Sequence, residues 1–310
     1  MIKNITNRIV KWGPVVSLVN VSKKIVLPGF EGASLYYVAR FFWDSLVKGG
    51  LTTRASAISF KLIMASIPAM IVLISAIPLI FPQFTDQLQQ AMSAFLPKET
   101  MDILTPYLDQ LFAKGGAIVS VGFILAIYYS SSAFQSILAA FARSINITEQ
   151  RSLLSQQLVS LAILGLITIF IVAALAAMTV SENLLALLQK NEILVSDLGS
   201  SIFYILNYLV IFLLFMFAIS TLYNMGNPQR KKWQFTSAGA TVASILMILV
   251  SAGFAYYVNN FGNYNKLYGS IGAILVFFFW IYYNSIILLI GFELNLSISA
   301  ANEKIQKLKG

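Results

Sequence analysis

The stretch "GSIGAILVFFFWIYYNSIILLIGFELNL", residues 269–296, carries a single charged side chain, Glu293, in a run that is otherwise apolar and long. A hydrocarbon core of about 30 Å takes about 20 helical residues to cross. Inside it every backbone N–H and C=O must find its partner within the helix. The run therefore predicts a transmembrane helix. A lone carboxylate in such a helix costs roughly 2.5–3.5 kcal/mol on insertion scales, so it implies a partner of opposite charge on a neighbouring span.

The rest of the chain repeats the pattern. Of 310 residues, 58% are hydrophobic and 11% charged, with a mean hydropathy of +0.79, which is more apolar than a soluble domain can bury. Six spans are expected, over about 55–81, 115–141, 154–181, 201–223, 235–259 and 269–297. The predicted fold class is all-α, a polytopic membrane bundle with interfacial amphipathic helices. Residues 1–54 form the N-terminal segment, 55–299 the six-helix domain and 300–310 a tail.

Two stretches read as helical but not spanning. Leu35, Val38, Ala39, Phe42 and Leu46 recur at helical spacing, with Arg40, Asp44 and Lys48 off that face, as in a helix lying on a membrane surface. An outer helical hairpin is expected over 83–113, broken at Pro97.

Orientation follows from the basic residues. Eight Lys and Arg precede or open the first span. Arg143, Arg151, Arg230, Lys231, Lys232, Lys304, Lys307 and Lys309 fall on the same side, whereas the alternate loops hold Lys98, Lys114, Lys190 and Lys266 among seven acids. Both termini are expected in the cytoplasm. The net charge of +9 is then explained by topology, and no nucleic-acid partner is implied.

The chain has no histidine and no cysteine. That removes thiol nucleophiles, imidazole bases and the commonest ligands of transition metals. No enzyme, cofactor or metal site is expected.

Within the spans the two charges are Lys61 and Glu293. Lys61 is seven residues past Arg54, about 10 Å along the helix axis, and Glu293 is near the inner end of span six, so they are expected to pair, with Arg54 and Arg143 as rival partners of Glu293. The pair reads either as a fixed strut between spans one and six or as a site coupled to substrate or protons. Tyr128, Ser131, Ser132 and Gln135 lie on one face of span two. With Tyr282 and Asn284 of span six at similar depth, they line a pathway or serve as inter-helix hydrogen-bonding glue. Pro68 and Pro78 predict a kinked span one. Gly269, Gly272 and Ala273 are small enough for close helix approach.

Four segments carry a resemblance: "LPGFEGASLYYVARFFWDSL" (27–46), "LTTRASAISFKLIMASIPAM" (51–70), "YNMGNPQRKKWQFTSAGA" (223–240) and "LYGSIGAILVFFFWIYYNSIILLIGFELN" (267–295). They resemble the signature segments of the YihY/BrkB family of bacterial inner-membrane proteins. The resemblance implies a six-span protein of the bacterial inner membrane, with transport of an envelope lipid or solute its usual suggested role and membrane lipids its partners. Some members carry a ribonuclease label, which a chain without His and with one acid in its spans does not support. The function expected is transport of a lipid or other amphipathic substrate through a cavity between spans one, two and six, with a non-transporting scaffold as the alternative.

Overall fold

The computed structural model describes residues 21–23, 25–80, 105–106, 115–147, 151–190, 197–229, 233–260 and 270–309. Among these residues lie seven long helices: α1 (Leu35–Lys48), α2 (Leu51–Ile80), α3 (Gly115–Ala142), α4 (Leu153–Lys190), α5 (Asp197–Gly226), α6 (Ala238–Asn260) and α7 (Ser270–Lys309). The expected outer hairpin at 83–113 falls outside the described residues, apart from Thr105 and Pro106. Helices α3 to α7 each hold a segment long and apolar enough to cross a membrane, the longest being Leu275–Lys307. Helix α2 covers the expected first span and is not one of the five found among the described residues. It starts at Leu51, so Arg54 lies in the helix and not in a segment before it. It remains helical through Pro68 and Pro78.

Consecutive helices from α2 to α7 pack as neighbours, and α7 returns onto α2, which closes a ring. The ring is plugged at one end. Ala55 and Ile58 of α2, Phe141 of α3, Ile163 of α4, Tyr223 of α5, Ala243 of α6 and Leu289 and Phe292 of α7 meet there in one buried cluster. Phe292 stacks on Phe141 with ring centroids 3.7 Å apart, and Tyr223 meets both edges. Because this end also carries Arg54, Arg143 and Arg151, it is called the basic end below.

Helix α7 continues unbroken through the expected tail to Lys309. That extension is a docking post for α1: Phe30, Ala33 and Val38 bury against Ile298 and Ala301, and Lys304 sits over the rings of Tyr37 and Phe41. Helix α1 buries Val38, from the expected apolar stripe, together with Ser45 beside it, and Leu35, Tyr37 and Phe41 pack against the same cluster. Leu35, Phe42 and Leu46 stay partly exposed, and Trp43 and Val47 are open.

Gly269 lies outside the described residues, as do the side-chain surroundings of Gly272 and Ala273; among the described residues one close helix crossing stands out. It is between α6 and α7 at the basic end. A Cβ built on Gly239 would come 2.0 Å from the carbonyl oxygen of Gly291, and one on Gly291 would come 2.5 Å from both the Gly239 carbonyl and the Tyr223 hydroxyl. Asn295, one turn on, accepts from the Gly239 N–H at 2.8 Å and donates to Ser237 Oγ at 2.9 Å, while Ser237 Oγ accepts from the Ala240 N–H. The exposed donors that open α6 are thus capped by its own Ser237 and by α7. Filling that crossing is expected to be disruptive. Gly291→Ala should cost about 1–3 kcal/mol through overpacking, read as a fall in the unfolding midpoint of the detergent-purified protein. Gly253→Ala, on the same α6 with open space around it, should be neutral or slightly stabilising.

Candidate functional site

The carboxylate of Glu293 is fully buried and both of its oxygens are taken. Arg54 Nη2 donates to Oε1 at 2.7 Å and Ser144 Oγ donates to Oε2 at 2.7 Å. Arg54 is itself 4% exposed, and its Nη1 donates to the Ala140 carbonyl at 2.9 Å. Ala140 lies in the last turn of α3, where backbone carbonyls have no helical partner and the helix end attracts a cation. One guanidinium therefore ties together the start of α2, the end of α3 and the middle of α7. Its forked geometry makes this feasible, since a lysine ammonium lacks a fixed pair of donors.

Local backbone makes room for it. Gly49, between α1 and α2, is a position where a Cβ would come 2.9 Å from Arg54 Nη2, and Gly50 takes φ +59° to turn the chain from α1 into α2. Asn146 Nδ2 then donates to Ser45 Oγ at 2.8 Å, fastening the segment after α3 to α1. Further along the same α2 and α7 contact, Ser59 Oγ donates to Ser285 Oγ at 3.2 Å.

The expected Lys61 and Glu293 pair is thereby corrected. The partner is Arg54, the first of the two rivals. Lys61 is exposed and forms no ion pair among the described residues, and Arg143 is exposed as well. Lys61 lies on nearly the same face of α2 as Arg54, so the helical wheel does not separate them; depth does. Glu293 meets the first turn of α2, two turns short of Lys61.

The polar stripe of α3 divides. Tyr128 is 66% exposed on the outer surface. Ser131 is buried and shares a hydrogen bond with Ser160 of α4 at 3.0 Å; Gln157 of α4 donates to Ser131 Oγ at 3.3 Å, Gln135 donates to Gln157, and Gln156 donates to the Gln135 carbonyl at 3.1 Å. Ser132 is partly buried beside them. This is a seam between two helices. In α7, Asn284 donates to its own helix at the Trp280 carbonyl, and Tyr282 packs on the core cluster. The expected pathway residues are not brought to one surface. Two apolar cavities open elsewhere, one of about 580 Å³ between α6 and α7 and one of about 670 Å³ between α4, α5 and α6.

Sequence reasoning missed Ser144, Asn295, Gln157 and Ser160. Asn295 was two residues from Glu293 in plain view. Gln156, Gln157 and Ser160 stand at helical spacing at the start of α4, a polar stripe matching that of α3.

A double-mutant cycle tests the buried pair. Arg54→Met and Glu293→Gln each strand a buried polar group and are expected to cost roughly 3–5 kcal/mol. The double mutant should recover part of that, while Lys61→Met should stay within about 0.5 kcal/mol of the parent. Thermal unfolding in detergent measures all four.

Comparison with known proteins agrees with this architecture. Residues 42–309, which include Arg54, Ser144 and Glu293, match the family model described as virulence factor BrkB. A Bacillus subtilis protein named as ribonuclease-like, YfkH, is 25% identical over 244 residues, 78% of this chain and 88% of its own length. A UPF0761 membrane protein of Stenotrophomonas maltophilia is 27% identical over 269 residues, and one of Kangiella koreensis 29% over 247. These alignments cover 84% and 77% of this chain but 60% and 58% of those relatives. No solved structure matches. A closed ring of apolar helices and a family match over most of the chain lead to one conclusion: this multi-pass membrane protein belongs to the virulence factor BrkB family.

Proposed function

We propose that the chain is a six-span protein of the bacterial inner membrane, with both termini in the cytoplasm, that carries an amphipathic lipid along crevices on the side of its helix ring. The observation behind this reading is the cavity between α4, α5 and α6. Its lining is almost wholly apolar, including Phe170, Tyr208, Phe212 and Phe215, and Ile171 and Tyr208 at its edge are exposed. A hydrophilic solute needs polar groups to replace its water; such a wall suits an acyl chain. Among the described residues, the Arg54 and Glu293 pair and the aromatic cluster fill the centre between α2, α3 and α7 at the basic end. The lipid path is therefore placed at the flank and not between spans one, two and six.

Helix α2 supplies the sixth span in this reading, and α1 lies in the membrane interface with Trp43 and Val47 toward the lipid. No catalytic role is included. The chain lacks His and Cys, and Glu293 already has two partners. The filled centre favours a second reading, a scaffold whose polar groups only hold helices together.

Purified protein in vesicles carrying a headgroup-labelled fluorescent phospholipid separates the two. Transport predicts that label in the inner leaflet becomes accessible to an impermeant quencher faster than in protein-free vesicles. Ala174→Phe and Ala218→Phe, which fill the cavity, should slow this at least fivefold without lowering the unfolding midpoint. A rate equal to that of empty vesicles establishes the scaffold reading.

Topology has its own test. A reporter active only in the cytoplasm should work after Lys232 or Gly310 and fail after Asp109 or Asp197. The opposite pattern overturns the orientation.

A further inference from the structure

At the basic end, between the last turn of α3, the start of α4 and the end of α5, lies a separate small cavity of about 180 Å³. Leu138, Ala139 and Ala142 form one wall, Gly226 and Pro228 another, and Arg143, Arg151 and Gln156 supply the polar groups. A water occupies about 30 Å³ of liquid, so the space takes on the order of six waters, or one compact polar group in their place.

Two features set this cavity apart from an ordinary surface dent. First, among the described residues neither Arg143 nor Arg151 forms an ion pair with a carboxylate. Glu149, the acid of that loop, lies outside the described residues. Second, the arginines are held differently. Arg151 Nη1 donates to the Met225 carbonyl at 2.5 Å, which fastens it to the end of α5 and leaves its remaining N–H groups unassigned. Partial burial lowers its pKa by stripping water from the cation. Arg143 is exposed.

The surroundings add to the positive field. Helix α4 begins at Leu153, with the Ser155 N–H donating to Ser152 Oγ, so the positive end of the α4 dipole lies beside Gln156. The opposing negative end of α5 is covered by Arg151. The shape depends on a glycine: a Cβ on Gly226 would stand 2.5 Å from the Phe141 ring, so only glycine lets α5 close this wall against α3.

We propose that this cavity binds a phosphate group, gripped by the guanidinium forks of Arg151 and Arg143 with Gln156 beside them. Guanidinium is the side-chain group best matched to phosphate, through paired N–H donors. The partial burial of Arg151 strengthens that attraction relative to open water. The source is either a lipid headgroup or a free phosphate compound. The lipid source rests on the transport reading above. It draws support from the apolar cavity that the same α4 and α5 help to form deeper along their axes, where Leu222 lies one turn from Gly226.

The test uses the full-length protein in a neutral detergent, with inorganic phosphate and short-chain phosphatidic acid as probes at matched ionic strength, and binding read by calorimetry and thermal shift. Saturable binding of either probe, weakened at least tenfold by Arg143→Gln and by Arg151→Gln, supports the site. Phosphatidic acid binding at least a hundredfold tighter than phosphate identifies a lipid source; comparable affinities identify a free phosphate compound. Arg143 is exposed, so Arg143→Gln should keep the parental unfolding midpoint. Arg151→Lys, which retains charge but not the fork, guards against loss of fold and should bind severalfold more weakly. No saturable binding of either probe, or parental affinity in both glutamine variants, overturns the proposal. Binding without lipid movement in vesicles leaves the site standing and removes the transport reading, while movement without binding does the reverse.

Discussion

A buried carboxylate has to be met on both oxygens, and at Glu293 that requirement organises the basic end of the molecule. An unpaired charge there would cost several kcal/mol, more than any one apolar contact in the bundle returns. The pair with Arg54 fixes the depth of α2 against α7, because the carboxylate can be reached from only one turn. Ser144 fixes the chain just after α3, and the Ala140 carbonyl fixes the end of α3 itself. Three helices that are far apart in sequence are thus set in register by one side chain on each side of an ion pair. Arg54 Nε is buried as well and has no hydrogen-bond partner among the described groups.

The same rule explains the other polar groups near the core. Tyr223 donates to the Leu288 carbonyl at 2.7 Å. Asn224 accepts from the Gln234 N–H and donates to its carbonyl, clamping the segment between α5 and α6 against its own helix. The Ser131, Gln135, Gln157 and Ser160 seam does this between α3 and α4. In a membrane, small residues and paired polar groups take over the role that apolar burial plays in water, since lipid is as apolar as leucine. The apolar side chains are correspondingly free to face outward. Crevices walled mainly by apolar side chains open between α6 and α7 and between α4, α5 and α6.

Much was legible in the residues alone. Apolar length gave the helices, because a bilayer demands internal backbone pairing over about 20 residues and five helices satisfy it among the described residues. The cost of charge in lipid marked Glu293 as a residue with a partner, and the need for satisfied hydroxyls and amides marked Ser131 and Gln135 as inward-facing. What the spacing of apolar residues in α1 could not show is that Phe41 and Ser45, off the stripe of Leu35, Val38 and Phe42, would be covered as well, since covering depends on how far α7 extends beyond its span.

The sequence by itself determined the class of the molecule, the positions of its helices and which groups had to be paired, because those follow from solvation, a property of each residue and its immediate neighbours. Only the tertiary structure decided the partners. Arg54 and Lys61 share a face of α2 and carry the same charge, so periodicity could not choose between them; the axial offset of α2 against α7, in which Ser59 also meets Ser285, brings the carboxylate to the first turn. Offsets between helices arise from contacts hundreds of residues apart, such as that of Arg54 with Glu293, and no local pattern encodes them.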